Sequence, residues 1–367
     1  MRILLLGEYS NVHATLAEGL RLLGHEVVVV SNGDFWKDYP RDIDVARRPG
    51  RWGGIRLLAR ILSLLPRLRG FDIVQIINPM FFELRAERLF PLYHYLRKHN
   101  GKMVLGAFGM DYYWVHVNST IMPLRYSDFN IGKTLRTNAD AMKERGDWIG
   151  TAKERLNTLI ADDCDAIVAG LYEYWACYYP LFPNKTRFIP FPIHNKDAHP
   201  KTDFAPPLKL FIGISKGRNE YKGTDVMLRA AEEVCQHHPG EVVIYKAEGV
   251  PFAKYVSMMR GSDAILDQLY SYTPSMNPLE AMTHGIICVG GGEPENYEIL
   301  HEHTLRPIVN VLPNYNSVVE ALEWLVSHPE QICLMKRQSI EYIRRHHDYL
   351  KVAKQYEQLY KDILIKA

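Results

Sequence analysis

The chain has 367 residues, 47% apolar and 23% charged, with a formal net charge of +2. That length predicts two domains, the composition is that of a globular protein, and the near-neutral balance excludes nucleic acid as a partner held by bulk charge. Five scattered cysteines (Cys164, Cys177, Cys235, Cys288 and Cys333) with no C-x-x-C pair exclude a disulfide framework and a zinc site, and predict a reducing cytoplasmic setting.

Arg2-Ile-Leu-Leu-Leu before Gly7 is too short for a signal peptide or a membrane span and reads as a first parallel strand. Val12, Leu16, Leu20 and Leu23 recur at helical spacing and predict a helix over 11–23. The valine run Val27 to Val30 predicts a second strand, buried on both faces. Gly7-Glu-Tyr is not a G-x-G-x-x-G fingerprint, so a dinucleotide site at this turn is disfavoured.

Between Val45 and Phe71 stand seven arginines (47, 48, 51, 56, 60, 67 and 69) and no acid. Ile55, Leu58, Leu62 and Leu65 predict one apolar helix face. Such a helix either rests on an anionic membrane or acceptor, or packs its leucines on the sheet and leaves its arginines in water.

Phe71 to Ile77 predicts a strand, 85–99 a helix, and Met103 to Ala107 a strand that delivers Phe108-Gly-Met-Asp111 to the sheet's carboxyl edge. Ligands of open α/β sheets sit at that edge, so Asp111 is a candidate for a sugar hydroxyl or for base chemistry; the other reading is a turn aspartate bonded to its own backbone. Residues 112–150 are polar, aromatic and irregular, a length that suggests a lid or an acceptor groove. A helix over 152–161, a strand at Ala166 to Ala169, an aromatic turn or short helix over 172–179 and a brief strand from Arg187 follow. Lys196 to Pro207 is polar and proline-rich, with five prolines between Pro190 and Pro207, and reads as an interdomain hinge.

Leu208 to Ile214 opens a second β-α-β series. Its first loop carries Lys216, Arg218 and Lys222 just before a helix over 226–237. Three cations on a glycine-bearing loop after a strand suit a diphosphate, although a solvated loop has the same composition. The loop is not G-x-x-x-x-G-K-[ST], so no ATPase is inferred. Further on, Ala264-Ile-Leu reads as a buried strand and Tyr270 to Met276 as a loop. Asn277 reads as a helix cap, with Pro278 in the first turn and Glu280 three residues on. Gly285 stops the helix, Ile286 to Val289 is a strand, and Gly290-Gly-Gly292 is a turn that admits a ligand close to the backbone. A loop feeding a helix N-terminus is an anion site, and Glu280 there can accept from a ribose diol. Asn277-x-x-Glu280 is also a capping box. Helices over 316–327, 330–346 and 349–366 close the chain.

Taken together, GHEVVVV, FDIVQIINP, FGMD, SKGRNEYKGTDVMLRA and PLEAMTHGIICVGGG resemble the retaining nucleotide-sugar glycosyltransferases of the GT-B fold, the group 1 or family 4 type. The resemblance spans nearly the whole chain, specific over 208–300 and loose before it. It implies two Rossmann-like parallel-sheet domains facing a cleft: 1–195 for the acceptor, 208–345 for the donor, and a helix over 346–367 returning to the first domain. It implies that Lys216, Arg218 and Lys222 neutralise the donor diphosphate. Glu280 would hold the ribose, with Tyr272, Met276, Asn277, Pro278 and Leu279 completing the donor site. Glu8 and Asp111 would face the acceptor, Asp111, Arg218 and Lys222 being the catalytic set.

No metal or other cofactor is expected. Partners are a nucleoside diphosphate sugar and a glycan or lipid-linked acceptor, with peripheral contact at the inner membrane face through Arg47 to Arg69. The chain departs from the pattern in places. Tyr272 stands where the family has the first of two glutamates, Asp267-Gln268 resembles a side branch, Phe108 replaces a histidine, and Gly7-Glu8 replaces a glycine pair. Two alternatives stay open: an epimerase-like enzyme of the same fold, and a non-catalytic subunit that binds the nucleotide sugar.

Overall fold

A computed structural model gives the structure of the chain and describes residues 1–195, 200–214, 217 and 219–365. The strands are, in chain order, β1 (Arg2–Leu6), β2 (Glu26–Ser31), β3 (Ile43–Asp44), β4 (Ile73–Ile76), β5 (Lys102–Ala107), β6 (Asn130–Ile131), β7 (Thr134–Leu135), β8 (Ala166–Ala169), β9 (Thr186–Phe188), β10 (Leu208–Ile214), β11 (Val242–Glu248), β12 (Ala264–Leu266), β13 (Ile287–Gly290) and β14 (Val309–Asn310). The chain divides into two compact units. The first comprises Met1–Pro123, Glu144–Pro192 and the segment from Tyr349 on; the second comprises Leu124–Lys143 and Ile193–Asp348. Residues 124–143 thus join the second unit although chain order places them amid the first.

The first unit is built on a seven-stranded sheet in the order β3-β2-β1-β4-β5-β8-β9. All its pairings are parallel. Ile3 to Leu6 and Ile73, Val74 and Ile76 are essentially inaccessible, as strands covered on both faces by crossover helices must be. The C-terminal helix Tyr349–Ile365 packs on the helix Val12–Leu22, as expected. A Cβ on Gly19 would lie 2.6 Å from that of Ala353, so only glycine permits this approach. A buried polar chain fixes the same helix to the sheet. The Tyr360 hydroxyl donates to Gln75 Oε1 (2.8 Å), and Gln75 Nε2 donates to His13 Nε2 (3.1 Å). His13 Nδ1 then donates to the Gly7 carbonyl (2.9 Å), and burial pushes the imidazole down to about 3, so it is neutral and can both donate and accept.

The second unit has a five-stranded sheet in the order β11-β10-β12-β13-β14, again parallel throughout. β10, β12 and β13 bury Leu210, Ile212, Ala264, Leu266, Ile287 and Val289 in one core with Met227, Val234, Leu322 and Leu325. Beneath the sheet lies a buried ion pair. Lys336 Nζ donates to Asp263 Oδ1 at 2.6 Å and to the Asp203 carbonyl at 3.2 Å, with Lys336 only 1% exposed. The expected hinge 196–207 is described only from 200 on, and there Lys201 N–H donates to the His284 carbonyl.

Candidate functional site

The carboxyl edge of the second sheet gathers the candidate donor residues that are described. Lys216 and Arg218 lie outside the described residues. Lys222 ends a short helix, Asn219–Lys222, and its carbonyl accepts from Leu269 N–H at 2.8 Å. Gly223 follows with φ +72°, and a Cβ there would meet Leu269 Cβ at 2.5 Å, so this turn requires glycine. At the end of β12, burial raises Asp267, and the nearby Lys222 charge is the largest influence pulling it back. Ser275 Oγ donates to both Asp267 oxygens at 3.3–3.4 Å. The two loops thus meet through a backbone bond, with the Lys222 charge near enough to favour the ionised Asp267.

The helix that follows is Met276–Thr283, and its cap is Ser275, not Asn277 as the sequence suggested. Asn277 lies inside the first turn, where its Nδ2 donates to the Tyr255 hydroxyl at 2.7 Å. With the helix starting earlier, the alternative reading of Asn277-x-x-Glu280 as a capping box does not hold. Glu280 instead lies 3.7 Å from both Arg260 and His284, its side chain 41% exposed, and keeps acceptor capacity to spare. Met276 is partly buried, while Pro278 and Leu279 are buried. First-turn amides have no intrahelical partners and carry the positive end of the helix dipole.

The glycine turn has a different purpose from the one expected. A Cβ on Gly291 would lie 2.2 Å from the Ser271 carbonyl, and one on Gly292 would lie 2.7 Å from Ile308. The room these glycines leave is taken by the protein itself, which lets the 271 loop press on β13. Tyr272 is likewise held by protein. It is 1% exposed, its hydroxyl accepts from Arg125 N–H at 2.7 Å, and its ring packs on that of Tyr126.

In the first unit, Glu8 and Asp111 both sit at the carboxyl edge of the sheet and both are buried. Glu8 accepts from the amides of His13 (3.2 Å) and Ala14 (2.8 Å), and burial raises it to about 8. Asp111 caps the helix Tyr112–Thr120. It accepts from Trp114 N–H and from the Tyr178 hydroxyl, each at 2.8 Å, and burial raises it to about 7. Phe108 packs edge-on against Phe191.

The arginine-rich segment forms a helix, Gly53–Leu64, but not with the predicted face inward. Leu57 and Ile61 are buried, whereas Ile55 and Leu62 are about half exposed, together with Trp52. Apolar residues recur at helical spacing on both sides of this helix, so spacing alone does not choose between them. The seven arginines are all exposed, and none of Arg48, Arg56, Arg60, Arg67 and Arg69 has an ion-pair partner among the described residues. Among the described residues no helix is long and apolar enough to cross a membrane, and no group of three or more His, Cys, Asp or Glu side chains is placed to hold a metal ion.

No family model and no curated protein matches this chain. Solved structures do. Sucrose-phosphate synthase from Thermosynechococcus elongatus matches over 100% of both chains, at 12% identity and a TM-score of 0.66. HepE of Anabaena, in complex with UDP and glucose, matches over 99% of this chain and 100% of its own, at 11% identity and a TM-score of 0.59. The catalytic domain of starch synthase IV from Arabidopsis thaliana, bound to ADP and acarbose, matches over 100% and 99%, at 12% identity and a TM-score of 0.59.

The fold is that of the GT-B glycosyltransferases. On this GT-B frame, several residues of the second sheet edge escaped sequence reasoning. Arg125, Tyr126 and Arg136 reach it from the inserted segment, and Glu293 binds Arg125, Tyr126 and Asn310. The one available signal was two arginines in a long aromatic connection.

Proposed function

We propose that the chain transfers a sugar, with retention, from a nucleoside diphosphate sugar to a hydroxyl of a glycan or lipid-linked glycan. The observation that carries this reading is the second sheet edge, where Lys222 follows β10 and the Met276–Thr283 helix, with its N-terminus and the half-free Glu280, follows the adjacent strand β12. A diphosphate suits the cation and the helix end; a ribose diol suits the carboxylate. Structural neighbours solved with UDP or ADP support the donor class.

In this proposal Lys216, Arg218 and Lys222 stabilise the leaving diphosphate as the glycosidic bond breaks, so no metal is required. Met276, Asn277, Pro278 and Leu279 shape its cradle, and Tyr272 forms the wall beside it. Glu8 and Asp111, already bonded to helix amides, hold the loops that would meet the acceptor. Phe108 and the protein-bound Tyr272 favour a second reading, a subunit that binds donor without turnover.

A thermal-shift panel of nucleoside diphosphates tests donor binding, since a ligand at a hundred times its Kd adds about 2.7 kcal/mol. Radiolabelled nucleotide sugars then separate transfer from binding alone. Glu280→Gln should weaken nucleotide binding about tenfold or more, because a bond to a charged acceptor contributes about 1.5–3 kcal/mol. Its ligand-free melting temperature should hold, given that its ion pairs are long and half exposed. Unchanged nucleotide affinity would sink the ribose role.

A lipid-linked acceptor is met at a membrane, and the Gly53–Leu64 helix suits that surface. Trp52, Ile55 and Leu62 point away from the buried Leu57 and Ile61, with Arg56 and Arg60 on the adjacent flank. Charge complementarity makes an anionic bilayer the occupant. The protein is expected to sediment with phosphatidylglycerol vesicles, to be released by high salt, and to lose binding in Arg56→Glu/Arg60→Glu. Equal behaviour with phosphatidylcholine vesicles, or no sedimentation, refutes the contact.

A further inference from the structure

The inserted segment Leu124–Lys143 belongs to the second unit and lies across both loops of the candidate donor site. Its hairpin, β6–β7, is small, but it carries two arginines with different partners. Arg136 lays its guanidinium over the Tyr270 ring, 3.5 Å from the centroid. The same group donates to the Glu220 carbonyl (2.6 Å) and the Tyr221 carbonyl (3.2 Å) at the end of the Asn219–Lys222 helix. Two further bonds, to the Ser127 and Asp128 carbonyls at 3.3 and 3.2 Å, anchor it in its own hairpin. Phe129, fully buried, faces the Tyr221 ring edge-on.

Arg125 holds the other loop. Its amide donates to the Tyr272 hydroxyl and its guanidinium lies over the Tyr272 ring, 4.9 Å from the centroid. The guanidinium also donates to Glu293 (2.7 Å) and to Glu295, while the Tyr126 hydroxyl donates to the other Glu293 oxygen. Glu293 caps the helix Pro294–Ile299 just after β13, so this second anchor reaches a third connection of the same sheet edge.

Arg136 has no carboxylate partner among the described residues. Its donors go to main-chain carbonyls and its face to an aromatic ring. A planar fork with several fixed donors can bridge such a set; an ammonium cannot. It acts on Glu220 and Tyr221, next to Lys222, whose own carbonyl accepts from Leu269. We infer that the 124–143 hairpin is a brace for the donor site, with Arg136 and Arg125 as positioning residues that hold the 219–223 and 269–272 segments in register for the nucleotide. This inference rests on the glycosyl-transfer reading for its ligand but not for its structural core. A brace of this kind raises affinity by keeping the binding-competent loop arrangement populated before the ligand arrives.

The test uses the full chain with UDP and ADP as probes, and hydrogen exchange without nucleotide. Arg136→Ala should raise the Kd of whichever nucleotide the parent binds by about tenfold. It should also accelerate exchange of the Leu269 amide selectively, leaving amides of β10 and β13 at the parent rate. Arg136→Lys should not rescue either readout. If Arg136→Ala does not fold, Arg136→Gln, which keeps the stem, is read the same way. Parental exchange at Leu269, or acceleration spread evenly over the sheet, overturns the brace. Should the parent bind neither UDP nor ADP, the donor reading fails on its own, and the Leu269 exchange rate still decides the brace.

Discussion

Lys222→Ala is expected to slow sugar transfer by about 10²–10³-fold, the usual loss when one preorganised donor to a developing negative charge is removed. Lys222 stands where the short Asn219–Lys222 helix meets the end of β12, and its charge acts on the buried Asp267. The diphosphate gains charge as the glycosidic bond breaks, so the cation favours the transition state over the bound donor. Deleting the lysine also removes a charge that favours the ionised, buried Asp267, so the ligand-free melting temperature should fall as well. Two effects of one substitution are separated by a second. Lys222→Ala/Asp267→Asn should regain stability, because the buried carboxylate is gone, while turnover stays low. Steady-state rates with labelled donor give the first quantity and calorimetry the second. Transfer within a few-fold of the parent in both variants would remove Lys222 from the donor site.

The largest effect on stability is expected from Lys336→Met. Lys336 is 1% exposed and bonded to Asp263 Oδ1 at 2.6 Å, while Asp263 Oδ2 accepts from Lys209 N–H at 3.1 Å. Removing the ammonium strands a buried carboxylate, a loss of about 3–5 kcal/mol. Lys336→Met/Asp263→Asn should recover most of that, because the asparagine oxygen still receives the Lys209 amide and no charge is left without a partner. Equilibrium unfolding in urea provides the comparison. A single variant within about 1 kcal/mol of the parent, or a double variant no better than the single one, would show that the pair's burial is relieved by movement of the Pro329–Tyr342 helix.

Why some of this was readable from residues and some was not follows from the range of the interactions. The inner strands of both sheets announce themselves as apolar runs, because strands covered on both faces need apolar side chains at nearly every position, whereas the two-residue edge strands Ile43–Asp44 and Val309–Asn310 offer no run to read. The helix Val12–Leu22 and the returning Tyr349–Ile365 helix have a single apolar stripe each, and spacing finds it. Gly53–Leu64 has apolar residues on two sides, so the choice of face fell to tertiary packing, which spacing does not see. The cap at Ser275 rather than Asn277 is a boundary set by where Asp267 lies in the fold. Residues 112–120 and 139–148 form helices within a stretch that read as irregular, their aromatic and mixed sequence giving no clean period. Arg125 finds Glu293 and Glu295 across a wide gap in sequence, and only the assembled unit brings them together. The GT-B resemblance pointed to the right fold through the 208–300 stretch, and its expectations for Lys216 and Arg218 fall outside the described residues.

The C-terminal helix has a consequence for the order of events on the ribosome. Tyr349–Ile365 buries Val352, Ala353, Tyr356 and Tyr360 against the first unit and completes the Tyr360–Gln75–His13 chain beneath it. Until those residues have been made, the first unit carries an open apolar seam along Val12–Leu22. The whole of Ile193–Asp348 is synthesised in the meantime, and at about 5–20 residues/s that is a wait on the order of ten seconds. The unit made first is therefore finished last, and a nascent chain stalled before Tyr349 should be the form that chaperones hold.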